Sequence, residues 1–169
     1  MLPLQVLTVI LVAVVMGMAL AHALEYPGKM RLQRHDYLVT QSIYYPGFTV
    51  GGASEPLGIA ATLLLLILTP HDNPAFWWTA AALLAMAATH AVFWAVTQPV
   101  NRYWVGQLRL TSAAQKFFSV EENAGQGSIL LDRWEGLRNR WEYSHITRAV
   151  LAATGLITLT VAVATYRTR

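Results

Sequence analysis

Apolar residues gather in four long blocks along the chain. Met1 to Ala21 holds no ionisable side chain, and about 20 residues suffice to cross a bilayer core. Ala19-Leu20-Ala21 looks like a small-residue cleavage site, but no basic stretch precedes the run, which is also longer than a signal peptide's apolar region. The block therefore reads as a retained membrane helix over about 3–25. Leu57 to Pro70 is uncharged but short; at 1.5 Å per residue it covers about 21 Å of a core about 30 Å thick. Its helix is expected to begin earlier, near Gly47 to Ser54, and to span about 50–70, which places Glu55 in or at the edge of the membrane. Pro74 to Pro99 is free of charge and carries one histidine, His90. Pro74 suits a helix start and Pro99 an end or kink, giving a span of about 74–98. The last block runs to Tyr166, before Arg167 and Arg169, with a span of about 143–166.

These blocks predict four helices of alternating direction, joined by one tight link at 70–74 and two long loops, 26–46 and 99–141. Thr111 to Val120 has the mixture of Ala, Phe and Lys of a short interfacial helix. Asn123 to Ser128 reads as a flexible break, and Asp132 as the N-cap of a helix that runs on into the fourth span. No internal repeat, phosphate-binding glycine loop or nucleophile elbow is present. The expected fold is all-α: a single transmembrane domain, 1–169, built as a four-helix bundle with its long loops on one side.

Composition agrees. Of 169 residues, 55% are hydrophobic and 12% charged, about half the charged share of a soluble domain, and mean hydropathy is +0.40. A disordered chain and an ordinary water-soluble enzyme are excluded. The net charge of +3 is too small and dispersed for a nucleic-acid binder. There is no cysteine, so disulfides, thiolate metal sites and cysteine nucleophiles are excluded too. Lys29, Arg31, Arg34, Arg102, Arg109, Lys116, Arg133, Arg138 and Arg140 fall on the long-loop side, against Arg167 and Arg169 on the terminal side. That asymmetry predicts cytoplasmic long loops and external termini. Tyr44, Tyr45, Trp77, Trp78, Tyr103 and Trp104 are expected as interface anchors.

The polar residues carry the chemistry. His22 and Glu25 close the first helix, Glu55 opens the second, His90 and Asn101 lie late on the third, and Glu142 and His145 enter the fourth. Alternating direction brings all seven to the long-loop side. His22 and Glu25 are three apart and share a helix face, as do Glu142 and His145. His90, Trp94, Thr97 and Asn101 form one stripe; Trp134, Arg138, Glu142 or Trp141, His145 and Arg148 form another. Ionisable groups in a bilayer cost a few kcal/mol each unless paired or facing an interior, so these should point toward one another. Glu-x-x-His on a helix is how di-iron bundles build their shells. His22, Glu25, Glu55, His90, Glu142 and His145 offer nitrogen and oxygen donors suited to iron, copper, manganese or zinc. A hydrogen-bonded polar seal is the simpler reading of the same residues, and Glu55 could equally pair with Arg138 or Lys29.

Four blocks then resemble a known family: Ala21-His22-Ala-Leu-Glu25-Tyr-Pro27-Gly-Lys29, Gln41-Ser-Ile-Tyr44, Phe93-Trp94-Ala-Val-Thr97-Gln-Pro99-Val-Asn101, and Trp134-Glu-Gly-Leu-Arg138-Asn-Arg-Trp141-Glu142-Tyr-Ser-His145. Together they are similar to the anthrone-oxygenase-like family of small four-helix membrane proteins, whose bacterial branch is mostly a domain of unknown function. The resemblance runs from about His22 to Arg148. It implies oxidation of anthrones to anthraquinones by dioxygen without an organic cofactor, and a bacterial inner membrane. Asn101, Trp141 and His145 match the family's most characteristic positions, and His22 and Glu25 its bacterial branch. The chain departs in a longer stretch between Asn101 and Trp134, and in His90 where a neutral polar residue is expected.

On this reading the protein is an oxidoreductase acting on a hydrophobic aromatic or quinone-like molecule that enters from the lipid. His145, oriented by Glu142, acts as base; Asn101 and Arg138 stabilise the oxyanion; Trp94, Trp141, Thr97 and Trp134 hold the ring. Dioxygen reacts directly or at a metal held by the His and Glu set. Two other classes fit the sequence: a non-catalytic accessory subunit of a larger membrane complex or homo-oligomer, and a b-type haem protein using two of His22, His90 and His145.

Overall fold

The computed structural model describes residues 1–44, 47–105 and 127–167, with side chains for 1–44, 47–102 and 134–167. Every element among them is helical: α1 (Leu2–Lys29), α2 (Arg34–Gln41), a 3₁₀ turn (Ser42–Tyr44), α3 (Gly47–Gly51), α4 (Ser54–Leu68), α5 (Ala75–Val92), a π turn (Phe93–Thr97), α6 (Gln98–Val105) and α7 (Gly127–Thr165). Four stretches are long and apolar enough to cross a membrane: Leu2–Lys29, Gly47–Leu68, Ala75–Arg102 and Trp134–Thr165. α1 packs on α4 and α7, and α5 packs on the same two helices.

The inward positions explain the packing. On α1 they are Gln5, Thr8, Val12, Val15, Ala19, His22 and Lys29; on α4 Glu55, Gly58, Thr62 and Leu65; on α7 Arg138, Glu142, His145, Ala149, Ala152, Leu159 and Ala162. These alternate three- and four-residue steps, the spacing of helices crossing at a shallow angle. The inward residues are mostly small or hydroxylated, while Leu64, Ile67, Trp77, Leu84, Val150 and Ile157 face outward. In water that would be inverted; in lipid it is expected, because close helix approach favours small side chains. The buried threonines satisfy their own hydroxyls. Thr8, Thr62, Thr79 and Thr89 each donate to the carbonyl four residues back, at 2.7 to 2.9 Å.

Two clusters of buried apolar side chains bracket the middle of the molecule. Val12, Val15, Leu65, Ala82, Met86, Ala152 and Leu159 fill the half nearer the chain termini. Tyr37, Tyr44, Val100 and Trp141 close the other half, with Leu38, Phe48, Trp134 and Leu137 against them.

The elements depart from expectation at several points. The 26–46 loop contains α2 and the 3₁₀ turn, and α1 continues through Pro27 to Lys29. Pro99 does not end the third helix, which continues past it to Val105. Lacking an N–H, it leaves the Ala95 carbonyl without its helical donor, and the chain passes through the π turn before α6. Arg140 of α7 donates to that carbonyl at 3.4 Å. Asp132 is not an N-cap, since α7 is already helical from Gly127. The expected interfacial helix at 111–120, most of the flexible break at 123–128, and Arg109, Lys116 and the side chain of Arg133 lie outside the described residues.

Candidate functional site

Between the two apolar clusters lies a cavity of about 400 Å³, within the range of small-molecule sites. α1 contributes Met18, Ala19 and His22; the 3₁₀ turn and α3 contribute Tyr44, Phe48 and Thr49; α4 contributes Glu55 and Pro56. The third helix brings His90, Phe93, Trp94, Thr97 and Asn101, and α7 brings Trp141, His145 and Arg148. The extra residue of a π turn rotates the next stretch of helix about its axis. Here it leaves Trp94 half exposed while Thr97, Gln98 and Asn101 are buried.

One wall is aromatic. The His145 ring lies 4.2 Å from that of His22 and 4.1 Å from that of Trp141, centroid to centroid, and Tyr44 and Phe48 lie 4.5 and 4.7 Å from His22. Trp141 is fixed by donating its indole N–H to Asn101 Oδ1 at 2.8 Å, and Asn101 Nδ2 donates to Gln98 at 3.3 Å. Thr97 bonds Ser144 at 2.9 Å. His145 is 5% exposed, and neither ring nitrogen has a hydrogen-bond partner among the described residues. A buried imidazole with both nitrogens unsatisfied is costly unless something is meant to meet it.

Two ionic clusters flank the cavity. In the first, Lys29 is 3% exposed; its ammonium lies 2.8 Å from Glu25 Oε2, 3.8 Å from Glu142 Oε1 and 3.4 Å from His22 Nδ1. It also sits over the Tyr44 and Trp141 rings, 4.8 and 4.9 Å from their centroids. Glu142 is wholly buried and accepts from the Tyr37 hydroxyl at 2.8 Å, while the Tyr44 hydroxyl donates to Glu25. Burial and the Glu142 carboxylate push the Tyr37 phenol above its ordinary range; burial and the bond to Glu25 do the same for Tyr44. Both hydroxyls thus remain donors. In the second cluster, Glu55 accepts from Arg148 and lies 3.0 Å from His90 Nδ1, and Trp94 donates to His90 Nε2 at 2.9 Å.

Of the residues expected at the site, His22, Glu55, His90, Trp94, Thr97, Asn101, Trp141 and His145 line the cavity; Glu25, Trp134, Arg138 and Glu142 do not. Glu142 turns to Tyr37 and Lys29, so it does not orient His145. Arg138 stacks over Trp134 at 4.7 Å and bonds Asn139, and the cation facing the cavity is Arg148. Glu55 pairs with Arg148 rather than Arg138 or Lys29. Tyr44, expected as an interface anchor, is buried against Glu25, whereas Trp77 and Trp78 are exposed. Tyr37 and Phe48 had no assigned role in the sequence, and Lys29, Tyr44 and Arg148 were not assigned to the site. Lys29 was legible, being four residues after Glu25 and seven after His22 on one helix face.

Five of the six expected metal ligands divide between the two clusters, His145 standing apart from both, and each cluster already holds its own cation, Lys29 or Arg148. Among the described residues no three His or acidic side chains converge as a metal shell; these residues do not fit a metal centre. Nor do they fit a bis-histidine haem. Two imidazoles sharing one iron stand with their rings about 6 Å apart, given bonds of about 2 Å on each side, against 4.2 Å for His22 and His145. His90 has both nitrogens engaged. No family model matches the chain, and no curated protein or solved structure does.

Proposed function

We propose that the protein is a four-helix membrane bundle, with its long loops cytoplasmic in a bacterial inner membrane, that oxidises a planar aromatic, anthrone-like substrate with dioxygen. The observation that carries this reading is His145: a buried imidazole whose two nitrogens are unpaired among the described residues, set among aromatic rings in a cavity of ligand size. The resemblance to the anthrone-oxygenase-like family supports the reaction class. The half-exposed Trp94 and the adjoining Pro56 and Phe93 supply an apolar rim for entry from lipid.

The chemistry needs no bound cofactor. An anthrone methylene is acidic because its carbanion delocalises onto the ring oxygen. His145 takes one methylene proton, and the electron pair passes to the ring system. Arg148 Nε–H has no partner among the described residues and serves the resulting oxyanion. The carbanion adds dioxygen at the same carbon, and the proton on His145 returns to the outer oxygen. Loss of the second methylene proton then breaks the O–O bond, leaving a carbonyl on the ring and releasing the other oxygen as water. Trp141, held by Asn101, and Trp94 position the ring faces.

Purified protein in detergent or nanodiscs, supplied with anthrone and air, should accelerate anthraquinone formation with equal consumption of dioxygen. His145→Ala should abolish the acceleration. A folded wild type that leaves the spontaneous rate unchanged for anthrone and its hydroxylated relatives would refute the assignment.

A further inference from the structure

Two of the three imidazoles at the cavity, His90 and His22, have neighbours of fixed hydrogen-bond polarity, and these decide which nitrogen carries the hydrogen. At His90 the answer closes the ring off. The Glu55 carboxylate only accepts, so Nδ1 carries the hydrogen; the Trp94 indole only donates, so Nε2 is the acceptor. Both nitrogens are spent. At His145 nothing is decided, because neither nitrogen is engaged by a described residue.

His22 is the informative case. Its Nδ1 lies 3.4 Å from Lys29 Nζ and 3.8 Å from Glu25 Oε2. The carboxylate alone would call for a hydrogen on Nδ1, but 3.8 Å is beyond hydrogen-bond reach, and that oxygen already accepts from Tyr44 and faces Lys29. The Lys29 ammonium, which faces Glu25 and Glu142, has donors only.

We infer that Lys29 is a positioning residue: its ammonium donates to His22 Nδ1 and so fixes His22 as the tautomer with its hydrogen on Nε2, a donor toward the cavity. The ligand side of this inference rests on the proposed function; the tautomer does not. Two adjacent imidazoles then have complementary tasks. His22 donates to a ligand carbonyl oxygen, while His145, free at both nitrogens, accepts the acidic hydrogen. The site therefore selects ligands that carry an acceptor oxygen conjugated with an acidic position, and a plain aromatic hydrocarbon of the same shape is excluded.

Nuclear magnetic resonance of protein carrying isotope-labelled histidine reads the tautomer without substrate or turnover, with His22→Asn assigning the signals. The wild type should show His22 protonated at Nε2 and bare at Nδ1. Lys29→Arg, also donor-only, should preserve that pattern, and Lys29→Met should move the hydrogen to Nδ1 or mix the two forms. A wild-type His22 protonated at Nδ1 overturns the inference, as does a Lys29→Met protein with an unchanged pattern. If Lys29→Met does not fold, the wild-type and Lys29→Arg spectra still decide. Infrared spectra of bound anthraquinone test the ligand half: its carbonyl stretch should fall in the wild type and in Lys29→Arg and recover in His22→Phe. An unshifted stretch in the wild type, or no binding of anthraquinone, overturns the ligand half and leaves the tautomer result to stand alone.

Discussion

The half of the molecule around Ala82 and Ala152 and the half around His145 share the same helices and the same inward spacing, yet one is filled and the other hollow. In the filled half the inward residues are Val, Ala, Thr, Gly, Leu and Met, whose side chains interdigitate or bond to their own backbone. In the hollow half the inward residues are large, but they are held back at the perimeter. Trp141 is held by Asn101, Tyr44 by Glu25, Glu142 by Tyr37 and Lys29, and Glu55 by Arg148 and His90. Anchoring polar tips to partners behind them keeps bulky side chains from collapsing inward. His145 is left without such an anchor among the described residues, and that sets the order in which substitutions should separate the halves.

The largest effect belongs to His145. Removing a general base costs on the order of 100- to 10,000-fold in rate, so His145→Ala should lose at least about 100-fold in anthrone oxidation while its helical signal and melting are retained. Equal activity in the variant would break the distinction between a working half and a packed one.

Next comes the anchoring network. Glu142→Leu leaves the Lys29 ammonium with one carboxylate fewer and removes the buried oxygen to which the Tyr37 hydroxyl donates. Unpairing a buried ion costs about 3–5 kcal/mol, and denaturant unfolding in detergent should show a loss of at least about 2 kcal/mol, since Glu25 still holds Lys29. The same network predicts a response to alkali. Tyr37 and Tyr44 have phenols raised above the unfolded value of about 10. Between the unfolded and folded values the unfolded chain has lost protons that the folded chain retains, so stability falls as pH rises past about 10. Phenolate absorbance from these two residues should appear only with unfolding; its appearance in a folded protein would sever the network from stability.

Much of this division was legible in the chain. Long uncharged runs give four helices because backbone groups in lipid must be satisfied within the segment, and alternating helix direction carries His22, Glu55, His90 and His145 to one level. Depth along a helix is simple arithmetic at 1.5 Å per residue; which partner a side chain turns to is not. Arg148 lies ten residues, about 15 Å, further along α7 than Arg138, and only the height of the cavity relative to Trp141 decides between them. Glu142 and His145 share a face, but Tyr37 on α2, in what reads as a loop, draws the carboxylate away. The π turn that sets Trp94 apart from Thr97 comes just before Pro99, and the Ala95 carbonyl that Pro99 leaves without its helical donor meets Arg140 of α7, a contact that no spacing along the chain foretells.

The filled half should answer to volume instead of charge. Ala152 is fully buried beside Met86 and Leu159. Overpacking costs about 1–3 kcal/mol, so Ala152→Leu should lower stability by that amount, measured in the same denaturant assay. The rate per folded molecule should hold within about two-fold, a barrier change under about 0.5 kcal/mol. A large loss of rate with the fold intact would show that the two halves are mechanically joined.

Gly58 gives the smallest effect and the finest test of how tightly the filled half is packed. A methyl group there would meet Leu11 Cβ at 3.6 Å and Met86 Cε at 3.7 Å, both ordinary contact distances, so α1 and α4 can stay where they are. Glycine inside a helix costs roughly 0.5–1 kcal/mol relative to alanine through its extra freedom in the unfolded chain. Gly58→Ala should therefore stabilise the protein by up to about 1 kcal/mol, with no change in activity. If it destabilises instead, α1 and α4 must approach more closely than these distances allow. The filled half would then owe its packing to backbone contact at Gly58, and not to the side chains that surround it.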